Sequence, residues 1–395
     1  MFFIPAIVLL LASAGAALAY AITGGEWLHW LALHLALLGG VSQLVLGAGQ
    51  FFVCAFLATD PPSRRLVTGQ LLAWNAGTLL VAVGVPTATG ALIDAGAALI
   101  GLGLLLFAVA LRAMQRRSLQ RARWAVRWYQ ACAACLGVGA LVGVMLARAT
   151  PWPDGSLLGA HLALNVGGWL GTAIVGTLHT FFPSLTQTRL RFPALQGPTF
   201  TLWLLGVGLL ACGAAFALTF LIVAGWVGLA SAAALLAANL RACLRSALRP
   251  LALPAMLIAL AQAFLVAGLL FALAVTIAQG PREPLLGAER DVLATLLLAG
   301  WVGLTVFGAL LHLLAVLARV RDFSRTMPVA APTRDPALAF SAALGIAALA
   351  ASHASKLDAL TTPASVILLA AVTLLGTRVL ALAITALRPR PAGAR

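Results

Sequence analysis

The chain has 395 residues, of which 62% are hydrophobic and only 9% are charged, and its mean hydropathy is +1.05. A soluble domain is typically about 25% charged, so this composition excludes a soluble globular fold. The net charge of +15 could suggest nucleic-acid binding. Its basic residues lie in short loops between apolar stretches, where they set the orientation of the chain and face lipid, which argues against a nucleic-acid partner.

Twelve apolar stretches are long enough to cross a bilayer as helices, which takes about 20 residues each. We therefore predict an all-α polytopic membrane protein with a single transmembrane domain over residues 1–395, surrounded by lipid. The first stretch ends in ALAYA, which resembles a signal-peptidase site, but no Lys or Arg precedes it, so we keep it as a span. The predicted spans lie near 3–22, 28–58, 65–85, 88–111, 128–147, 157–183, 196–219, 221–240, 251–279, 292–318, 337–354 and 362–387.

The positions of the basic residues predict the orientation. Twenty of the 25 Lys and Arg residues fall in loops at one face of the membrane. Four fall in loops at the other face: Arg148, Arg282, Arg290 and Lys356. Loops rich in Arg stay in the cytoplasm, so we expect both termini to be cytoplasmic. The near-exclusive use of Arg over Lys suggests a bacterial source, and we predict a multi-pass protein of the bacterial inner membrane.

Predicted spans two and six carry the same pattern, at 34–52 and 161–183. Each copy begins with HLAL, passes a glycine pair, reaches a further glycine and ends on phenylalanines. A weaker copy, GWVGLTVFGALLH, begins at Gly300 on span ten and ends at His312. Copies every four spans in a chain of twelve predict three pseudo-equivalent groups of four helices. The alternative is that glycine-rich helices look alike because small residues permit close packing.

On these three spans, four of the six histidines form two pairs at matched depths. His34 and His161 lie on the order of 6–9 Å below the predicted outer edge, counted at 1.5 Å per residue. His179 and His312 each lie about 20 residues into their spans, toward the inner edge. Histidines inside membrane spans are costly and commonly functional. Because His161 and His179 are separated by about five turns of an α-helix, we expect both rings to leave the same face.

These positions predict two cofactor sites, His34 with His161 in the outer leaflet and His179 with His312 in the inner leaflet. Two imidazoles at one depth suit axial ligation of a heme iron, and imidazole also suits copper. His353, at the outer end of span eleven, is a candidate third metal ligand beside His34 and His161. Three polar residues are predicted to support the ligands or the cofactor: Asn165, Gln50 and Arg378. The alternative for each buried histidine is a hydrogen bond to a helix carbonyl.

Twelve spans in three groups of four, with histidines on spans two, six and ten, resemble the catalytic subunit of the heme–copper oxidase and nitric oxide reductase superfamily. Closer still, the chain resembles the NnrS-type family of twelve-helix membrane proteins associated with heme, copper and nitric oxide stress. The resemblance implies a pseudo-threefold helix bundle and a heme, b-type by expectation, with copper as a further cofactor. The oxidases carry a histidine pair on span seven, and 196–219 has none, so oxygen reduction is not expected.

The predicted function is that of a membrane heme or copper protein that handles electrons or a small gas such as nitric oxide, with a quinol or a cytochrome as electron donor. Whether it is an enzyme, as an oxidoreductase of the heme–copper type, stays open. One alternative is a secondary transporter, which should carry carboxylates near the midplane, whereas Asp94 is peripheral. Another is a cofactor-free assembly or scaffold subunit. The sequence does not indicate an oligomeric state.

Overall fold

The computed structural model describes residues 1–119, 123–321 and 334–387. Five arginines used to predict the orientation lie outside the described residues: Arg121, Arg325, Arg388, Arg390 and Arg395. Within the described residues there are no strands, and 12 helices are long and apolar enough to cross a membrane. The prediction of an all-α polytopic membrane protein is therefore confirmed.

The ends of the twelve helices match those of the predicted spans to within six residues. They are α1 Phe3–Thr23, α2 Glu26–Phe56, α3 Arg64–Gly84, α4 Gly90–Arg117, α5 Trp124–Ala147, α6 Leu157–Thr186, α7 Pro193–Ala215, α8 Thr219–Ser246, α9 Leu253–Ala278, α10 Arg290–Val320, α11 Arg334–Ser355 and α12 Asp358–Ala386. The sequence separates α7 from α8 by very little. The two helices are separated at Ala217, which lies just after the end of α7 and has a left-handed backbone (φ 54°).

The contacts group the chain into two compact units. The first unit comprises Met1–Thr177 and Val207–Ile222, and the second comprises Leu178–Gly206 and Val223–Arg395. Helix α6 therefore begins in the first unit and ends in the second. The prediction of one transmembrane domain is not tested by this grouping and stays a prediction.

Each helix that carries the sequence repeat contains a π-helical segment at the glycine pair or its equivalent. The segments are Leu35–Val41 in α2, Ala163–Gly171 in α6 and Thr295–Gly303 in α10. Such turns are rare and frequently lie at functional sites. No other helix in the described part of the chain contains one. The segments therefore distinguish the same three helices that the sequence groups together.

The repeat glycines allow each of these helices to approach the element before it in the chain. Added methyl groups at three glycines would lie 2.5–2.7 Å from side chains of α1, α5 and α9. These glycines are Gly40 beside Leu10, Gly168 beside Cys135 and Gly300 beside Phe264. Further along the same helices a second set recurs: Gly47 beside Phe2, Gly176 beside Trp128 and Gly308 beside Ile258. Close packing of the helices explains why each of these positions is a glycine. Because the close contacts recur every four helices, they support the sequence repeat.

In the second unit, a buried asparagine fastens the loop between α6 and α7. Asn239 of α8 is fully buried, and its Oδ1 accepts a hydrogen bond from the Phe192 backbone N–H at 2.9 Å. Its Nδ2 donates to the Phe192 carbonyl oxygen at 3.1 Å. One side chain thus satisfies both backbone groups of a residue that lies between two helices.

Replacing Asn239 by Leu is expected to lower the free energy of unfolding by about 1–3 kcal/mol in total, because it leaves two backbone groups without their partner. Phe192 is 44% exposed, so water can replace part of the loss. Equilibrium unfolding in detergent measures the change. Thr199→Val is the matched control, since Thr199 is equally buried but bonds only the Leu195 carbonyl one turn back. We expect it to cost less than about 1 kcal/mol, and equal costs would contradict this role of Asn239.

Candidate metal centre

His34 and His161 lie side by side in the first unit. Their ring centroids are 6.5 Å apart, and the ring planes are inclined by 29°. His34 immediately precedes the π segment of α2, and His161 lies two residues before the π segment of α6. Both side chains are half-buried. The structure therefore brings together the two histidines that the sequence predicts for the outer site.

Trp30 holds the His34 ring through both its backbone and its side chain. The Trp30 carbonyl oxygen lies 2.8 Å from His34 Nδ1. The Trp30 indole stacks on the imidazole, with centroids 4.0 Å apart and planes inclined by 24°. Because a carbonyl oxygen can only accept, Nδ1 carries the hydrogen and donates it. In a neutral imidazole the other nitrogen, Nε2, then keeps its lone pair.

His161 is oriented in the same way by the neighbouring helix α5. Its Nδ1 lies 3.0 Å from the Gly139 carbonyl oxygen and donates to it, so Nε2 is again the acceptor nitrogen. Gly143, one turn further along α5, lies against the ring, because an added methyl group would be 3.0 Å from His161 Cε1. Asn165 donates Nδ2 to the His161 carbonyl at 2.7 Å and lies 3.2 Å from His161 Nδ1. The predicted supporting residue Asn165 thus contacts its histidine.

The two rings together offer a pair of Nε2 lone pairs. For these histidines, a hydrogen bond to a backbone carbonyl is the alternative to metal binding. Each ring makes such a bond, but only through Nδ1. A bond of this kind commonly orients a metal-bound histidine. Two imidazoles that each bound one shared metal through a nitrogen at about 2.1 Å would have ring centroids no more than about 6 Å apart. The observed 6.5 Å is close to that limit.

Among the described residues, no third His, Cys, Asp or Glu side chain joins this pair in a group arranged to hold a metal ion. A porphyrin would supply four nitrogen ligands of its own, and His34 and His161 would then be the residues that hold the heme.

The remaining predicted ligands belong to the second unit. His353 Nδ1 lies 3.3 Å from Thr295 Oγ1. His312 is half-buried, and the Phe181 ring meets it edge-to-face at a centroid distance of 5.4 Å. His179 is almost fully buried, at 1% exposure. A cofactor shared by His179 and His312, and a ligand role for His353, stay predictions.

The π segment of α6 changes the geometry expected for His161 and His179. The expectation of a shared face assumed uniform α-helical turns between them. Ala163–Gly171 is π-helical instead, and a π-helical turn contains more residues than an α-helical turn. The five-turn spacing therefore does not apply to α6, and the prediction of a shared face loses its basis.

The other two predicted supporting residues have partners of their own. Gln50 of α2 is buried and donates Nε2 to Gln70 Oε1 at 3.0 Å. Arg378 of α12 donates to a carboxylate oxygen of Asp335 at 2.8 Å. The charge of Arg378 is thus balanced inside the second unit by a carboxylate that the sequence analysis did not consider.

The π segment of α2 supplies carbonyl groups to side chains of its neighbours. Trp74 of α3 donates Nε1 to the Leu38 carbonyl at 3.1 Å. Ser42 donates its hydroxyl to the Leu37 carbonyl at 2.7 Å and accepts from Trp169 Nε1 of α6 at 2.7 Å. These bonds join α3 and α6 to α2 beside the turn that carries His34. They therefore hold together α2 and α6, the two helices that carry His34 and His161.

The carboxylate that the sequence analysis considered for a transporter is already paired. Asp94 of α4 forms an ion pair with Arg148, which follows the end of α5. The hydrogen bond from Arg148 to Asp94, together with the charge of the carboxylate, raises the pKa of the guanidinium. Both side chains are about half exposed, at 45% and 51%. A paired carboxylate at the ends of helices does not match an ion-coupling site at the midplane.

Sequence reasoning missed three residues of this site, Trp30, Gly139 and Gly143. Residues four apart on a helix are neighbours, so the aromatic residue one turn before His34 was a usable signal. The GxxxG spacing of Gly139 and Gly143 was another, because it marks a helix face open to close approach. Neither signal identifies which histidine the face meets, since that depends on how the helices pack.

No protein-family model matches this chain, and no curated protein is significantly similar to it. The resemblance to NnrS-type and heme–copper oxidase proteins therefore stays a prediction from the helix count, the repeat and the histidine positions.

Proposed function

We propose that this chain is a bacterial inner-membrane heme protein that binds a b-type heme between His34 and His161 and handles electrons or a small gas such as nitric oxide. The observation that carries the proposal is the 6.5 Å separation of two imidazole rings whose Nδ1 atoms both point to backbone carbonyls. Bound there, a heme supplies a one-electron couple. A quinol or a cytochrome is the proposed electron donor.

The protein's own groups have distinct parts in this proposal. The carbonyl groups of Trp30 and Gly139 keep Nδ1 protonated on each ring, which leaves Nε2 to bind the iron. Asn165 holds the turn that carries His161. The close approach of α5 at Gly143 limits rotation of the His161 ring. The two ligands are therefore orientated by groups that do not themselves bind the iron.

Heme suits this pair better than a copper ion does. A heme iron would take four ligands from the porphyrin, whereas copper(II) would need further ligands from the protein or from water. No third histidine, cysteine or carboxylate among the described residues completes a group with His34 and His161. Copper bound by His34 and His161 is the second form of the proposal, and a second heme between His179 and His312 is its extension.

A reduced-minus-oxidised absorption spectrum of the protein purified in detergent, with iron and copper analysis, tests the proposal. We expect a Soret band and b-type bands in the wild type. The double variant His34→Ala/His161→Ala is the control, and it should contain about one heme per chain less than the wild type. Copper without heme would favour the second form. A folded wild type without heme or copper would contradict both forms of the proposal. The secondary transporter or the cofactor-free scaffold would then be the better hypothesis.

A further inference from the structure

The Trp30 side chain gives His34 an aromatic neighbour that His161 does not share. Its indole lies nearly parallel to the His34 ring at a centroid distance of 4.0 Å. Among the described residues, the ring that contacts His161 is His34 itself. The carbonyl contacts to the two Nδ1 atoms are similar, at 2.8 and 3.0 Å. What distinguishes His34 is therefore the aromatic face beside it.

We infer that Trp30 is a positioning residue that tunes His34 as a metal ligand, raising its affinity for oxidised heme iron and lowering the midpoint potential. The inference rests on the proposed function, because it requires a heme between His34 and His161. It concerns the indole side chain alone. The Trp30 carbonyl belongs to the backbone and stays in place in any variant at this position.

The physical basis is the charge distribution of the indole. An aromatic ring carries negative potential over its face and attracts positive charge placed there, and Trp does so more strongly than Phe. Binding to iron withdraws electron density from an imidazole and leaves the ring more positive than in the free protein. The withdrawal is greater for ferric than for ferrous iron. An indole stacked on His34 therefore stabilises the ferric complex more than the ferrous complex.

The surroundings strengthen this effect. His34 lies within a membrane-spanning helix and is half-buried, and electrostatic interactions are stronger in a medium of low dielectric constant than in water. Stacking also restricts rotation of the ring about its side-chain bonds. The restriction leaves Nε2 aimed in one direction and lowers the entropy that is lost on binding iron.

The variants Trp30→Leu and Trp30→Phe test the inference, with Trp27→Leu as the matched control. Trp27 is an indole on the same helix turn that is 53% exposed. The probes are ferric and ferrous b-type heme, titrated into the apoprotein in detergent, and a potentiometric titration of the reconstituted protein gives the midpoint potential. Thermal unfolding and gel filtration of each apoprotein report folding.

In Trp30→Leu we expect affinity for ferric heme to fall about tenfold, the lower end of the range for residues that support a metal ligand. Affinity for ferrous heme should fall less. If the ferric loss exceeds the ferrous loss by the full factor of ten, the midpoint potential rises by about 59 mV. Trp30→Phe keeps an aromatic face and should shift the potential in the same direction by less. Trp27→Leu should match the wild type.

Two failures are distinguishable. A wild type that binds no heme overturns the proposed function and this inference together. A wild type that binds heme, with unchanged affinity and potential in folded Trp30→Leu, overturns this inference alone. If Trp30→Leu does not fold, Trp30→Phe decides, and a potential equal to that of the wild type overturns the inference. A purely packing role would weaken ferric and ferrous binding equally and leave the potential in place.

Discussion

Replacing Gly155 by Ala is expected to lower the free energy of unfolding by about 2–5 kcal/mol. Gly155 has a left-handed backbone (φ 65°), which costs about 1–2 kcal/mol for a residue with a side chain. An added methyl group would also collide with the carbonyl oxygens of Ala214 and Ala215 at the end of α7. Overpacking costs about 1–3 kcal/mol, and backbone oxygens cannot move aside as the end of a flexible side chain can.

The collision would also disturb two hydrogen bonds that join the loop before α6 to α7. The Ser156 backbone N–H donates to the Ala214 carbonyl at 2.7 Å, and Trp152 Nε1 donates to the Ala215 carbonyl at 2.7 Å. Ser156 in turn caps α6, because its hydroxyl accepts from the Gly159 N–H. The start of α6, which carries His161, is therefore expected to loosen first.

Equilibrium unfolding in detergent measures the loss, and Gly208→Ala provides the control. Gly208 lies inside α7, and an added methyl group there meets nothing within 4 Å. Alanine is a better helix former than glycine by about 1 kcal/mol, so this variant should be neutral or slightly more stable. Losses of equal size at Gly155 and Gly208 would show that neither the left-handed backbone nor the close carbonyl groups matter.

The sequence predicts the twelve helices well, for a physical reason. A segment of about 20 apolar residues must satisfy its backbone groups internally once it is in a bilayer, whatever its neighbours are. Hydropathy alone therefore locates α1 to α12. The π segments, such as Ala163–Gly171, could not be predicted in this way, because they follow from close contacts at glycines and from side chains that take over backbone carbonyls.

The candidate site was predictable only in part. Depth follows from counting residues along a helix, so the pairing of His34 with His161 could be predicted. The direction of a side chain depends on helix rotation, which the π segment alters, and the shared face expected for His161 and His179 lost its basis there. The ion pair of Arg378 with Asp335 joins α12 to α11, and no local pattern in the sequence indicates such a contact.

Replacing His161 by Gly is expected to lower the affinity for heme more than about 100-fold, beyond the range for residues that only support a ligand. The loss follows because no third His, Cys, Asp or Glu side chain among the described residues forms a group with the pair that could replace it. Heme titration of the purified apoprotein measures it. Free imidazole should restore binding in part, since it can enter the space left by the ring and supply the missing nitrogen.

His29→Gly is the control for loss of a histidine as such. His29 lies on α2, as His34 does, but it is exposed and stacks on Tyr20 at a centroid distance of 5.2 Å, so its loss should leave heme binding unchanged. Axial ligands that act as a unit are not additive. The double variant His34→Gly/His161→Gly should therefore lose little more affinity than either single variant. Independent, additive losses would mean that the two rings do not hold one iron, and the proposed site would have to be abandoned.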